Sequence, residues 1–191
     1  MLTLNKTHFQ PGVIALMILM AATRFHHVGT PFALADASLA VFFLGGLWFG
    51  GLGVFAVLLL EAGLIDYVAV SQFNVSDFCI SPAYVFLLPT YAALWFGGKS
   101  CAYFKTLTVI TLMSQISRLT LSIAAAFLIS NGSFNVLSGR YSAITGEAFF
   151  DGAVTYFPAY FADTAFYVVI IFAGVKLLSL LPGIYFKHNA A

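Results

Sequence analysis

Gly45-Gly46-Leu47-Trp48-Phe49-Gly50-Gly51 is the stretch that decides how this chain crosses a bilayer. Apolar runs flank it on both sides, and only these few residues separate them. Read as a tight bend, which its glycines permit, it joins two complete spans. Read as the tip of a re-entrant hairpin, it lowers the count of spans from six to five. The bend is the preferred reading. The apolar runs then fall at about 12–25, 32–48, 51–70, 83–96, 104–130 and 154–181. A spanning helix takes roughly 20 residues. The first and fourth runs are short by that measure, and the last two are long enough to tilt or to extend past the bilayer.

Composition agrees with this reading. The 191 residues are 61% hydrophobic and 8% charged, and mean hydropathy is +0.98, whereas a soluble domain carries roughly 25% charged residues. The expected class is therefore an all-α integral membrane protein, a six-transmembrane-helix bundle forming one domain over 1–191. No repeat and no separate soluble domain stand out. The first apolar run lacks a small-x-small cleavage site, so no cleaved signal peptide is expected. A net charge of +1 without a basic patch argues against nucleic acid as a partner. No Walker motif is present, so the chain has no nucleotide site of its own.

The lysines set the orientation. With six spans, Lys6, Lys99, Lys105, Lys176 and Lys187 fall on or near one side, while the clear loop arginine of the other side is Arg140. The positive-inside rule places both termini in the cytoplasm. His26-His27, the loop before the fourth span and the segment 131–152 then face outward.

That loop, Asn74-Val75-Ser76-Asp77-Phe78-Cys79-Ile80-Ser81-Pro82-Ala83-Tyr84, is a polar island with one cysteine. Cys79 and Cys101 lie at opposite ends of the fourth span, about 33 Å apart along a helix, far beyond disulfide reach. Cys79 is thus a free outward-facing thiol, and Cys101 reads as a small apolar residue at the inner edge. A thiolate is a soft ligand suited to a transition metal. As an enzyme nucleophile it would need a base and an oxyanion hole; His26 or His27 is a candidate base, and no second partner stands out. The two histidines read either as an interfacial anchor or as a ligand contact through one of them, with His27 favoured. A zinc site lacks a further ligand at suitable spacing.

Charges inside the spans are expected to face the bundle and pair. They are Asp36, Glu61, Asp66, Arg118 and Asp163, and a structural Arg118–Glu61 or Arg118–Asp163 pair is the expected arrangement. Asp66 lies near the outer end, level with the Cys79 loop, and is a ligand-site candidate. Phe73, Phe78, Tyr84, Tyr141, Phe149, Phe150 and Tyr156 form an outer aromatic set suited to a large flat ligand. The polar stretch from Ser130 through Arg140 reads as a loop able to act as a lid.

On Asp77-Phe78-Cys79-Ile80-Ser81-Pro82-Ala83-Tyr84 and Thr23-Arg24-Phe25-His26-His27, with six short spans and inward termini, the chain resembles the BtuM-type vitamin B12 transporters. These are related to the S-components of energy-coupling-factor (ECF) transporters. The resemblance covers essentially the whole chain. It implies an S-component-like fold that takes up cobalamin, or its precursor cobinamide, across a bacterial inner membrane. It also implies Cys79 as an axial ligand of the cobalt, with His27, Asp66, Phe78 and Tyr84 around the corrin. Thiolate coordination would displace cyanide from cyanocobalamin, a decyanating side activity. The alanine-x-x-x-alanine pattern by which S-components dock on an ECF module is missing from the first run, where Leu19 follows Ala15 at that spacing. This departure puts the use of an ECF module in doubt and makes solitary action an expected alternative. An S-component-like transporter for another vitamin, and a membrane thiol enzyme with Cys79 as nucleophile, are the alternatives.

Overall fold

The computed structural model describes residues 11–24, 34–73, 81–103, 108–139 and 146–179. These form α1 (Pro11–Arg24), α2 (Ser38–Trp48), α3 (Leu52–Phe73), a 3-10 segment (Pro82–Phe86), α4 (Leu87–Cys101), α5 (Val109–Leu137) and α6 (Gly146–Ser179). Among the described residues there is no strand, so the chain is all-helical. Three helices are long and apolar enough to cross a membrane: Leu52–Phe73, Val109–Leu137 and, within α6, Phe149–Leu178. The helices Pro11–Arg24 and Ser38–Trp48 are apolar but shorter.

The glycine-rich stretch does form a tight bend. Helix α2 closes as the N–H groups of Phe49 and Gly50 both donate to the carbonyl of Gly45. Gly50 takes φ +59°, a conformation that glycine adopts without strain, and α3 begins at Leu52. The same glycines also serve packing. A Cβ at Gly46 would overlap the carbonyl oxygen of Trp95, and one at Gly98 would overlap the carbonyl oxygen of Phe43. Helices α2 and α4 therefore approach backbone to backbone, the use that small residues have at helix contacts in membranes. Helix α2 is the hub: Ala40 through Gly46 are all buried, and it meets α1, α3, α4 and α6. Around it Phe42 stacks on Tyr91 at 4.1 Å and meets Phe55 edge-on at 5.5 Å, and Phe55 in turn meets Trp95 at 5.4 Å.

Several boundaries differ from those read in the sequence. Helix α2 starts at Ser38, not near position 32, because the Asp36 carboxylate accepts the Ser38 backbone N–H at 2.9 Å and 34–37 are not helical. The fourth run opens as a 3-10 turn, with Pro82 at its first position, and continues to Cys101. Helix α5 begins at Val109, where Thr108 and Thr111 form a reciprocal capping box. It runs on to Leu137, so most of the stretch from Ser130 through Arg140 is helix rather than a lid loop. Its polar side chains bond within the helix: Asn135 Nδ2 donates to the Asn131 carbonyl oxygen at 2.9 Å and Ser133 Oγ to that of Ser130 at 3.0 Å. Arg140 lies outside the described residues.

Two ends of the bundle can be told apart. A Cβ at Gly12 would touch the Phe49 ring, and one at Gly50 would lie 3.8 Å from the Lys99 side chain. The start of α1, the α2–α3 bend and the end of α4 therefore share one end. Arg24, Asp36, Asp66 and Tyr84 gather at the other.

Candidate functional site

Arg24, the last residue of α1, organises that second end. Its guanidinium grips Asp66 of α3 in a fork, Nε to Oδ1 at 2.6 Å and Nη2 to Oδ2 at 2.5 Å. Nη1 turns to the Tyr91 hydroxyl at 2.8 Å, Ser38 Oγ at 3.0 Å and Asp36 Oδ2 at 3.2 Å. The Tyr84 hydroxyl donates to Asp66 Oδ2 at 2.7 Å, and Ser38 Oγ donates to Asp36 Oδ1 at 2.6 Å. One cation thus links α1, α2 with its lead-in, α3, the 3-10 segment and α4. Arg24 is 7% exposed, so this is an ion-pair network withdrawn from water.

The local sequence explains why these groups meet. Thr23 Oγ1 donates back to the Leu19 carbonyl at 2.9 Å and accepts the Ala37 N–H at 3.1 Å, fixing the end of α1 beside the start of α2. Asp36 sits at the N-terminus of α2, where a negative charge is favoured. Tyr84 and Tyr91 are seven residues apart, close to two helical turns, and so present their hydroxyls on one side. The stack of Tyr91 on Phe42 holds the phenol in place. With both carboxylates ionised, one guanidinium faces two negative charges.

The residues singled out in the sequence fare differently. Asp66 and Tyr84 are brought into direct contact, as described. Cys79, His26, His27, Phe78 and Tyr141 lie outside the described residues. Phe73, Phe150 and Tyr156 are 56%, 66% and 61% exposed, and none of the three lines the groove described below. Arg24 forms ion pairs with Asp36 and Asp66, and among the described residues Arg118 is joined to neither Glu61 nor Asp163. Arg118 Nη1 donates to the carbonyl oxygen of Ser100 at 3.0 Å, Asp163 is exposed, and Glu61 Oε2 is buried without a hydrogen-bond partner. Cys101 is buried, 2% exposed, as a small apolar residue should be.

Sequence reading missed the central part of Arg24 and the contributions of Ser38 and Tyr91. The signal was present: one arginine at the end of the first run, an acid at the start of the second and another near the end of the third, and a pair of tyrosines seven residues apart.

Between α3 and the 3-10 segment with α4 lies an apolar groove of about 230 Å³, lined by Ala62, Gly63, Tyr84, Val85, Leu88 and Tyr91 among others. It is smaller than the roughly 300–1,000 Å³ of ordinary small-molecule pockets. A large ligand does not fit within this groove. Comparison with protein-family models and with curated proteins finds no match for this chain.

Proposed function

We propose that this protein takes up cobalamin across a bacterial inner membrane, binding the corrin at its outer end. In this reading the chain crosses the membrane six times with both termini in the cytoplasm. The short helices α1, α2 and α4 span it together with their flanking residues. Cys79 gives a thiolate to the cobalt, His27 and Phe78 contact the macrocycle, and Asp66 and Tyr84 hold its polar rim. On cyanocobalamin the thiolate donates its electron pair to cobalt and cyanide leaves with its own pair. This is a ligand exchange that needs neither oxidant nor reductant.

The observation that carries the reading is the hydrogen bond from Tyr84 to Asp66. Two residues that the B12-transporter resemblance assigns to one site, eighteen positions apart, meet at the end of the bundle where α3 stops and the 3-10 segment begins. Cys79 lies in the chain that joins those two elements. The Arg24 fork holds Asp66 in place, which is the pre-organisation a binding site needs. Chemistry supports the same choice, since a soft thiolate suits a transition metal. Whether an ECF module assists is open to the same assay as uptake itself: rescue of a B12-dependent strain that lacks ECF genes would establish solitary action.

The test is the visible absorption spectrum of purified protein incubated with cyanocobalamin, for the wild type and Cys79→Ala. The expected result is a shifted corrin spectrum that stays with the wild type and is lost in the variant. Identical spectra would remove Cys79 from the cobalt, and retention of corrin by neither protein would overturn the substrate.

A further inference from the structure

Glu61 is the tenth residue of the 22-residue apolar helix α3. It stands about 14 Å along the axis from one helix end and about 18 Å from the other. Its side chain is partly buried, and its Oε2 is enclosed without a hydrogen-bond partner among the described residues. The other acids near the network are accounted for, because Asp36 and Asp66 are both held by Arg24.

The surroundings explain the isolation. Helices α1 and α2 pack on α3, and the 3-10 segment with α4 faces it across the groove. The only charged group of α1 is Arg24, already committed, and α2 carries no titratable group. Across the groove stand Tyr84 and Tyr91, each bonded into the network, while Lys99 and Cys101 belong to the far end of α4. Asp66 follows Glu61 by five residues, which places it about 140° round the helix, so the Arg24 fork is turned away from Glu61.

A carboxylate in hydrocarbon without cation or donor is among the most costly groups a span can carry. With a proton bound to one oxygen, the same side chain crosses that region far more easily. We propose that Glu61 is a proton-binding site within the membrane and that it couples passage of the ligand to the proton gradient. This rests on the uptake reading above. The proton adds to a carboxylate oxygen when the site communicates with the outer water and leaves from it to the inner water. No other bond changes. Glu61 makes no hydrogen bond to the Arg24 network, so its substitution leaves the ion pairs that hold Asp66 in place.

Two measurements on the full chain reconstituted in lipid vesicles test this. The first is intact-mass and peptide mapping after dicyclohexylcarbodiimide, which reacts with protonated carboxyls inside hydrocarbon. Glu61 is expected to be modified at neutral pH, with loss of the adduct in Glu61→Gln and as external pH is raised. Absence of the adduct in the wild type overturns the proton site whatever the substrate. The second is cyanocobalamin uptake with an acid-outside gradient. The expected result is that Glu61→Gln keeps the wild-type corrin spectrum while its uptake falls to the level seen with a protonophore, and that Glu61→Asp restores part of it. Gradient-driven uptake by Glu61→Gln equal to the wild type overturns the coupling. A wild type that binds no corrin removes the substrate reading, and the carbodiimide adduct then decides the proton site by itself.

Discussion

Arg24 and Asp66, 42 positions apart, are joined through two parallel hydrogen bonds of 2.6 and 2.5 Å, the forked geometry in which guanidinium and carboxylate bind best. Removing one member of a buried pair leaves the other charge without its partner, which costs about 3–5 kcal/mol. Arg24→Leu strands two carboxylates and is expected to abolish recovery of folded protein in detergent. Asp66→Asn leaves Arg24 with Asp36 and is expected to lower thermal stability by a smaller margin. Size-exclusion profiles after graded heating check both. A wild-type melting profile for Arg24→Leu would show that the network contributes nothing to the fold.

Tyr84 and Tyr91 each supply one hydroxyl to this network but differ in packing. Tyr91 is 3% exposed and stacked on Phe42, whereas Tyr84 is half-buried in the 3-10 segment. A hydrogen bond to a charged group contributes about 1.5–3 kcal/mol. Tyr91→Phe is therefore expected to reduce stability and, on the uptake reading proposed above, to affect the ligand little, while Tyr84→Phe on that reading weakens cobalamin retention more than it lowers the melting midpoint. Titration of each variant with cyanocobalamin, set beside its melting curve, separates the two roles. Equal effects of both changes on both readouts would remove the distinction.

Glycines at the α2–α4 contact should resist substitution, since a methyl group at Gly46 or Gly98 would run into the backbone of the facing helix. Overpacking of this kind costs about 1–3 kcal/mol, and backbone atoms yield less than side chains. Gly132, in the interior of α5, has nothing within 4 Å of the position a Cβ would take. Gly132→Ala is expected to be neutral or to stabilise by up to about 1 kcal/mol through helix propensity. Melting curves of Gly46→Ala, Gly98→Ala and Gly132→Ala should rank in that sense. A destabilised Gly132→Ala beside a normal Gly98→Ala would contradict the packing.

At the start of α5, Thr108 Oγ1 accepts the Thr111 N–H at 3.2 Å, and Thr111 Oγ1 accepts the Thr108 N–H at 2.8 Å. Replacing an N-cap threonine by alanine costs about 0.5–2 kcal/mol. Thr108→Ala is expected to increase hydrogen exchange in the first turn of α5 while leaving the Arg24 end unchanged. Exchange mapping by mass spectrometry decides it.

The helical class was legible from hydropathy alone, and the α2–α3 bend from its glycines, because both follow from local composition. Which charges pair was not. Arg118 and Glu61 lie at comparable depth in their runs, but depth says nothing about which faces meet. Arg24 reaches Asp66 because the end of α1 is tied by Thr23 to the lead-in of α2. The lid between Ser130 and Arg140 was misread for a related reason. Serine and asparagine raise the polarity of a window, yet they stay helical when their side chains bond to carbonyls three or four residues back. Asp66 was singled out by its depth in the third run and Tyr84 by its place beside the Cys79 loop, but their contact is a tertiary fact that the separation of eighteen residues did not reveal.

The brevity of α2 has an electrical consequence. Eleven helical residues cover about 16 Å, roughly half of a 30 Å hydrocarbon layer, and just before Ser38 the chain leaves the helix and carries the Asp36 carboxylate. In a six-span topology, water would approach Asp36, whose side chain is 28% exposed, inside the plane of the headgroups, while Arg24 behind it stays covered. The transmembrane voltage would then fall across a thinner insulating layer beneath the network than in the surrounding lipid.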